Sequence, residues 1–454
     1  MAESSNLRAR VADLMGQVQE DLATLVAYPS LAFPGYDRAP LRECGEVVRQ
    51  MFLDLGFPSA ELLDVGGENP AVWAERPGTP GGPTVLLYAH YDVQPAPAEE
   101  QRWETDPWTL TAGEDGRWYG RGAADDKGGI VQHLNAIRAI GGVDALGDVT
   151  LKICIEGDEE YGGPLPEYVL ENPERFAADL YLIADLGNIV VGEPLIVTQL
   201  RGFVKTTVKV STLEGPLHSG MFGGAAPDAF IAATRLISSC FDDGGNVVVE
   251  GLVQRAWDGA PYPEDMYREQ AGMLPGVERI GSDSVASHLW SRPSITVLAS
   301  DLPPLERTAN ILIPSVTFEL GTRITPFQTP ESAIEAVRAH LLSHAPWGAK
   351  VEIISEEGAP GFHTEWEGPM AELVTESLAE AYGTTVGAAG TGGSIPLLSA
   401  LQSASPGGLV APWGPEDQGK SKVHGGNESI DPAELERCIL AEAMILSRLA
   451  HPEQ

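Results

Sequence analysis

Cysteine is scarce in this 454-residue chain: there are four, Cys44, Cys154, Cys240 and Cys438, with no C-x-x-C pair among them. Cys154 and Cys240 lie in apolar surroundings, which speaks against a disulfide framework or a cysteine-held metal and for packing or incidental thiols. Basic residues are also few, 29 against 65 acidic ones, for a net charge of −36. Such a chain repels nucleic-acid phosphates and anionic lipid alike, so neither nucleic acid nor a membrane surface is an expected partner. The excess acid is the mark of a solvated surface and does not by itself indicate a cationic substrate. No apolar run approaches membrane-spanning length, and no basic region followed by an apolar stretch opens the chain. Instead Leu7, Val11, Leu14, Val18, Leu22 and Leu25 recur at helical spacing. A soluble, cytoplasmic protein is expected, and neither an internal repeat nor a low-complexity tail is visible.

At 454 residues and 43% hydrophobic, the chain exceeds the size at which one core keeps growing, so two domains are the default. Three short apolar runs each end on residues of metal-binding type. Thr84–Ala89 runs into His90-Tyr91-Asp92, Val149–Ile155 into Glu156-Gly157-Asp158-Glu159-Glu160, and Leu180–Ala184 into Asp185. Runs of this kind suit strands covered by helices on both faces, and ligands gather at the carboxyl ends of such strands. Helical patterns near Leu7–Ala27, Leu41–Leu55 and Lys127–Ile140 alternate with them, which predicts an α/β layer structure. From Phe203 the texture changes. Half-exposed strand patterns at Phe203–Val210, Ser315–Arg323 and Lys350–Ile354 mix with helices near Pro227–Ser239 and Glu331–Ser343, predicting an α+β insert. Asp258–Arg279, with its Pro and Gly residues, is expected to be a surface excursion. After Gly358 the α/β texture returns through helices at Pro369–Tyr382 and Pro432–Leu449.

Each polar cluster has two meanings when taken alone. His90-x-Asp92 is either a histidine tied to a nearby carboxylate or a metal ligand whose neighbour orients it. The segment Gly120-Arg121-Gly122-Ala123-Ala124-Asp125-Asp126-Lys127 lacks the spacing of a phosphate loop; its glycines are either a plain turn or a device that presents Asp125. Glu159-Glu160 is an acidic turn, or a pair in which one carboxylate ligates a metal while the other acts as general base. Asp185 caps a strand, and His424 lies in a Gly-rich loop. Taken together, two histidines and three carboxylates suit two divalent ions that share a carboxylate, with zinc, manganese or cobalt matching the donors.

In their order and rough spacing, His90-x-Asp92, Gly120-Arg121-Gly122-x-x-Asp125-Asp126-Lys127-Gly128, Glu156-Gly157-x-Glu159-Glu160, Asp185, Leu217-His218-Ser219-Gly220 and His424 resemble the di-zinc metallopeptidases of clan MH, family 20, typified by carnosinase and cytosolic nonspecific dipeptidase. The resemblance implies that Asp125 bridges two ions, that His90 and Asp185 complete one site and Glu160 and His424 the other, and that Glu159 is the base. It implies a catalytic domain of residues 1–201 and 358–454 with a mostly parallel central sheet between helices. Residues 202–357 would be an inserted, ferredoxin-like lid used for homodimerisation. In that family His218 would reach the partner subunit's active site to stabilise an oxyanion, Arg323 would hold the substrate C-terminal carboxylate, and Asn310, Gly393 and Ser394 would touch substrate. Surface or turn roles are the alternatives for all five.

There is one departure. Carnosinase-like members carry Arg-Glu-Gly-Gly-Ser-Ile-Pro where this chain has Gly390-Thr391-Gly392-Gly393-Ser394-Ile395-Pro396, so Thr391 replaces an acid near the substrate amino group. The resemblance therefore implies a hydrolase cleaving the amide bond of dipeptides or small amino-acid conjugates. An N-acyl-amino-acid amidohydrolase or carboxypeptidase with the same core is the alternative. A non-catalytic, metal-stabilised binding protein is a third possibility, which Glu159 argues against, since a structural metal site needs no base.

Overall fold

A computed structural model describes residues 2–97, 101–393 and 395–452. It divides into two compact units: Met1–Thr198 with Thr364–Ala388 and Ala400–Gln454, and Gln199–His363 with Ala389–Ser399. The first unit opens with α1 (Ala2–Val26), α2 (Ala39–Asp54), β1 (Ala60–Leu63), β2 (Ala71–Arg76), β3 (Thr84–His90), α3 (Lys127–Ile140), β4 (Thr150–Glu156) and β5 (Leu180–Ile183). The second unit supplies β6 (Gly202–Ser211), α4 (Ala229–Ser238), β7 (Ser294–Ser300), β8 (Ser315–Ile324), α5 (Pro330–Ser343) and β9 (Lys350–Ala359). The first resumes with α6 (Pro369–Tyr382), β10 (Leu409–Pro412) and α7 (Pro432–Ala450). Among the described residues no helix is long and apolar enough to cross a membrane.

The sheet of the first unit runs β1-β2-β4-β3-β5-β10. Strands β4, β3, β5 and β10 are parallel, and β1 and β2 pair antiparallel at one edge. This is the mostly parallel α/β sheet that the apolar runs predict. Their continuous hydrophobicity has a direct cause in burial on both faces. On β3, Val85, Leu87 and Ala89 enter the main helix-covered core, while Leu86 and Tyr88, pointing the other way, are buried as fully. Helices α1, α3, α6 and α7 contribute apolar faces to that core. Helix α7 begins where Asp431 accepts the main-chain N–H groups of Ala433 and Glu434 and Pro432 takes the first turn.

In the second unit the sheet order is β7-β8-β6-β9, all antiparallel. With α4 and α5 it follows the β-α-β-β-α-β order of a ferredoxin-like fold. Alternate residues of β6 are buried along its whole length, as expected of a sheet with one face against helices. The excursion at 258–279 holds one further short helix, Glu264–Gln270.

Candidate metal centre

Parallel register brings His90, Asp185 and the Glu159–Glu160 turn to the carboxyl end of the first unit's central strands. His90, the last residue of β3, pairs with Glu156, the last of β4. Tyr88 pairs with Ile183, so Asp185 follows two residues beyond the end of β5. The Glu159–Tyr161 turn starts three residues after β4.

Asp125 lies between two histidines. Its Oδ1 is 2.9 Å from Nε2 of His90, and its Oδ2 is 3.1 Å from Nε2 of His424. His90 Nε2 also lies 3.6 Å from Asp185, and His424 Nε2 lies 3.2 Å from Glu160. His90, Asp125 and Asp185 form one group whose ligand atoms fall within 4.8 Å of one another, and Asp125, Glu160 and His424 form a second. A tetrahedral ion about 2.1 Å from each donor sets its donors roughly 3.4 Å apart, so the nitrogen–oxygen spacings fit one small divalent ion per group. Each group offers an imidazole nitrogen and two carboxylates, and Asp125 has one oxygen for each.

Main-chain contacts fix these ligands. His90 Nδ1 donates to the carbonyl of Asp92 at 2.9 Å, which leaves Nε2, facing Asp125, as the nitrogen an ion would take. The carboxylate of Asp92 is farther from that nitrogen, at 3.5 Å. It accepts instead the N–H groups of Glu159 at 3.2 Å and Glu160 at 3.0 Å. The second group is held differently. His424 has φ +62°, in a loop where Lys422 and Asn427 also have positive φ. Glu160 accepts a bond from Gln94 at 2.8 Å.

Burial and crowded acids perturb several groups here. Burial, reinforced by the charge of Asp185, pushes the Glu159 carboxyl well above its usual range. Burial and Asp125 raise Glu160 to about 7. Hydrogen bonds to Asp125 and Glu160 lift His424 to about 10. Burial opposes the charged form of His90, yet Asp185 and Asp125 outweigh it and raise the ring well above the ordinary histidine value. Such a cluster favours positive charge, whether protons or a divalent cation.

Two contributors were not visible in the sequence. Asp126 accepts the main-chain N–H of His90 through Oδ2 at 3.1 Å. Glu428 accepts the main-chain N–H groups of Gly122, Ala124 and Asp125. Gly122 has φ +78°, and a Cβ there would come within 2.6 Å of Val93, so the turn that presents Asp125 requires glycine.

The remaining candidates belong to the second unit. His218 is exposed; it pairs with Ile311 across a short two-stranded ladder, and the Asn310 carbonyl accepts the N–H of Ser219. His218 Nδ1 accepts the N–H of Gly220 at 3.1 Å, which leaves the ring proton on Nε2. Arg323 lies near the end of β8 with its guanidinium 4.7 Å from the centre of the Phe203 ring. The N–H of Gly393, an exposed residue, points to Thr391 Oγ1 at 3.4 Å. Ser394 lies outside the described residues.

A family model described as peptidase family M20/M25/M40 matches residues 86–448. The chain is 43% identical to cysteinylglycine-S-conjugate dipeptidase of Corynebacterium striatum over 80% of each chain. It is 27% identical to Cys-Gly metallodipeptidase dug1 of Schizosaccharomyces pombe over 90% of each. Its fold is similar to the crystal structure of human carnosine dipeptidase 1, with a TM-score of 0.81 at 23% identity over 98% of each chain.

Proposed function

This chain belongs to peptidase family M20/M25/M40, and on that premise we propose that it is a metal-dependent dipeptidase that hydrolyses the amide bond of dipeptides or similarly small amino-acid conjugates. The observation that carries the proposal is the split of Asp125 between two histidine–carboxylate groups beside Glu159, a carboxyl too strongly raised to be an ordinary surface acid. Relatives named for Cys-Gly, its S-conjugates and β-Ala-His supply the substrate class.

His90 and Asp185 would hold one ion, Glu160 and His424 the other, with Asp125 between them. Zinc is the first choice, with manganese or cobalt as substitutes; when bound, such ions polarise a carbonyl and make water acidic. Glu159 would take the proton from the attacking water as the carbonyl carbon is attacked, and return it to the leaving amine as the C–N bond breaks. A pKa above the usual carboxylate range suits the return step. Asp92 would hold Glu159 in place through its main-chain N–H.

We further propose that residues 202–357 serve as a lid and homodimer interface, with His218 supplying an oxyanion donor to the partner subunit. The tautomer with Nε2–H free to donate supports that role. Arg323 would form a charge-assisted pair with the substrate C-terminal carboxylate, while Asn310, Gly393 and Ser394 would line the same substrate. A cytoplasmic location accords with four buried, unpaired cysteines.

Thr391 favours a second reading, an N-acyl-amino-acid amidohydrolase, because it supplies no charge for a free substrate amine. A panel of dipeptides, S-substituted Cys-Gly, N-acetyl amino acids and carboxyl-amidated dipeptides, each with zinc, manganese and cobalt, separates the two. Turnover confined to free-amine dipeptides supports the dipeptidase; turnover confined to N-acyl substrates replaces it with the second reading; none at all rejects both.

A further inference from the structure

We propose that Arg121 and Glu428 are positioning residues that hold the Asp125 turn and the His424 loop in one register, so that the ion bound by Glu160 and His424 depends on them more strongly than the ion bound by His90 and Asp185, which shares only Asp125 with that link. This rests on the two-ion reading above.

Arg121 and Glu428 are buried, with side chains 1% and 0% exposed, and their Nη1 and Oε2 are 2.7 Å apart. Every contact of the Glu428 carboxylate given by the structure goes to the segment that carries Asp125. Oε2 accepts Arg121 Nη1 and the N–H of Gly122 at 3.0 Å; Oε1 accepts the N–H groups of Ala124 at 2.9 Å and Asp125 at 3.1 Å. The second arm of the Arg121 fork faces the other way. Its Nη2 donates to the Gly425 carbonyl at 2.9 Å and to Gln101 Oε1 at 2.8 Å, and Gln101 in turn donates to the His424 carbonyl at 3.0 Å. One ion pair thus joins the shared ligand to the loop of a ligand used by one group only.

The two halves differ in what else holds them. His90 pairs with Glu156 in the parallel sheet, and the Ala184 N–H bonds the Tyr88 carbonyl at 3.0 Å, so His90 and Asp185 are set by strand register. His424 has no strand beneath it. It occupies a left-handed loop position with its side chain 57% exposed, a conformation that persists only where surrounding contacts impose it. A buried ion pair contributes little net stability against an apolar replacement, and fixing register is its best-attested use. The fork geometry of arginine is what allows one side chain to serve both segments.

Calorimetric titration of chelator-stripped protein with zinc, followed by metal analysis after dialysis, tests this. The wild type should take up two ions in two resolved steps; uptake of one ion only would remove the two-ion reading itself. Glu428→Gln turns an amide N–H₂ toward donors, and Arg121→Lys keeps the charge but loses the fork. Each should weaken one of the two steps by roughly 10–100-fold and the other by no more than a few-fold, the share that passes through Asp125, and so retain one ion after dialysis. Equal weakening of both steps, or a second step unchanged in both variants, overturns the proposal. If either variant fails to fold, Gln101→Ala removes only the link to the His424 carbonyl and must produce the same selective weakening at smaller size.

Discussion

The carboxylate of Asp92 accepts the main-chain N–H of Glu160 at 3.0 Å, so the residue two positions after the β3 histidine also sets the turn that follows β4. Its other oxygen holds Glu159 in the same way. Asp92→Ala should cost about 1.5–3 kcal/mol for each charge-assisted bond removed, and loosen both glutamates. Asp92→Asn keeps one carbonyl acceptor and should remain folded with both ions bound, while kcat falls by roughly 10²-fold because the turn shifts. Denaturant unfolding, metal analysis and kcat on each variant check this. Wild-type turnover in Asp92→Asn would show that the turn does not need the carboxylate.

Base and ligand are separable on adjacent residues. Glu159→Gln should retain two ions per subunit and lose roughly 10²–10⁴-fold in kcat, the contribution of a positioned general base. Glu160→Ala should lose an ion as well as activity, because its carboxylate is 3.2 Å from His424 in the second ligand group. Metal content decides between the two outcomes. Loss of an ion from Glu159→Gln would make Glu159 a ligand.

Why these residues could be found without coordinates is a matter of burial. Strands β3 and β5 are covered on both faces and so read as unbroken apolar runs, and β4 does so apart from Lys152; the polar residue that follows each run stands out, as His90 and Asp185 do. Parallel pairing then places those ends side by side. Edge strand β7 gave no such signal, because Val297, Leu298 and Ala299 are exposed and its apolar residues follow no buried face. The Glu264–Gln270 helix has no fully buried residue and no apolar stripe to announce it. Glu428 was hidden for another reason. Its partners are main-chain N–H groups some 300 positions away, and a carboxylate that bonds backbone has no spacing rule to betray it. Asp92 lies beside His90, but it is its carbonyl that meets the ring at 2.9 Å, while the carboxylate expected to orient the histidine stands 3.5 Å away.

Metal loading should expel protons. His424 is raised to about 10 by Asp125 and Glu160, so its ring is protonated near pH 7 until an ion takes the proton's place; Asp185 and Asp125 raise His90 in the same direction against the effect of its burial. A chelator should abolish activity, and divalent ions should restore it at two per subunit. Titrating stripped protein in buffers of different ionisation enthalpy should show net proton release, and apparent affinity should rise with pH. For the stripped protein the sign is opposite: a raised histidine stabilises the fold below its ordinary pKa of about 6.5 and loses that contribution as pH rises through about 10. Binding with no proton release would contradict these histidine assignments.

A shared active site predicts complementation between two dead variants. If His218 serves the neighbouring subunit while Glu159 serves its own, Glu159→Ala and His218→Ala homodimers should each be nearly inactive, the first without a base and the second without an oxyanion donor. In a mixed dimer one site has both defects. The other has neither, because the subunit that retains Glu159 receives His218 from its partner. With equal amounts reshuffled at random, half of the dimers are mixed and half of their sites are intact, so about a quarter of wild-type activity should return. The reshuffled mixture must be compared with the same proteins mixed without subunit exchange, which should stay inactive. Activity that fails to appear after exchange, verified by native mass spectrometry of differently tagged subunits, would mean that His218 acts within its own chain or takes no part in the reaction.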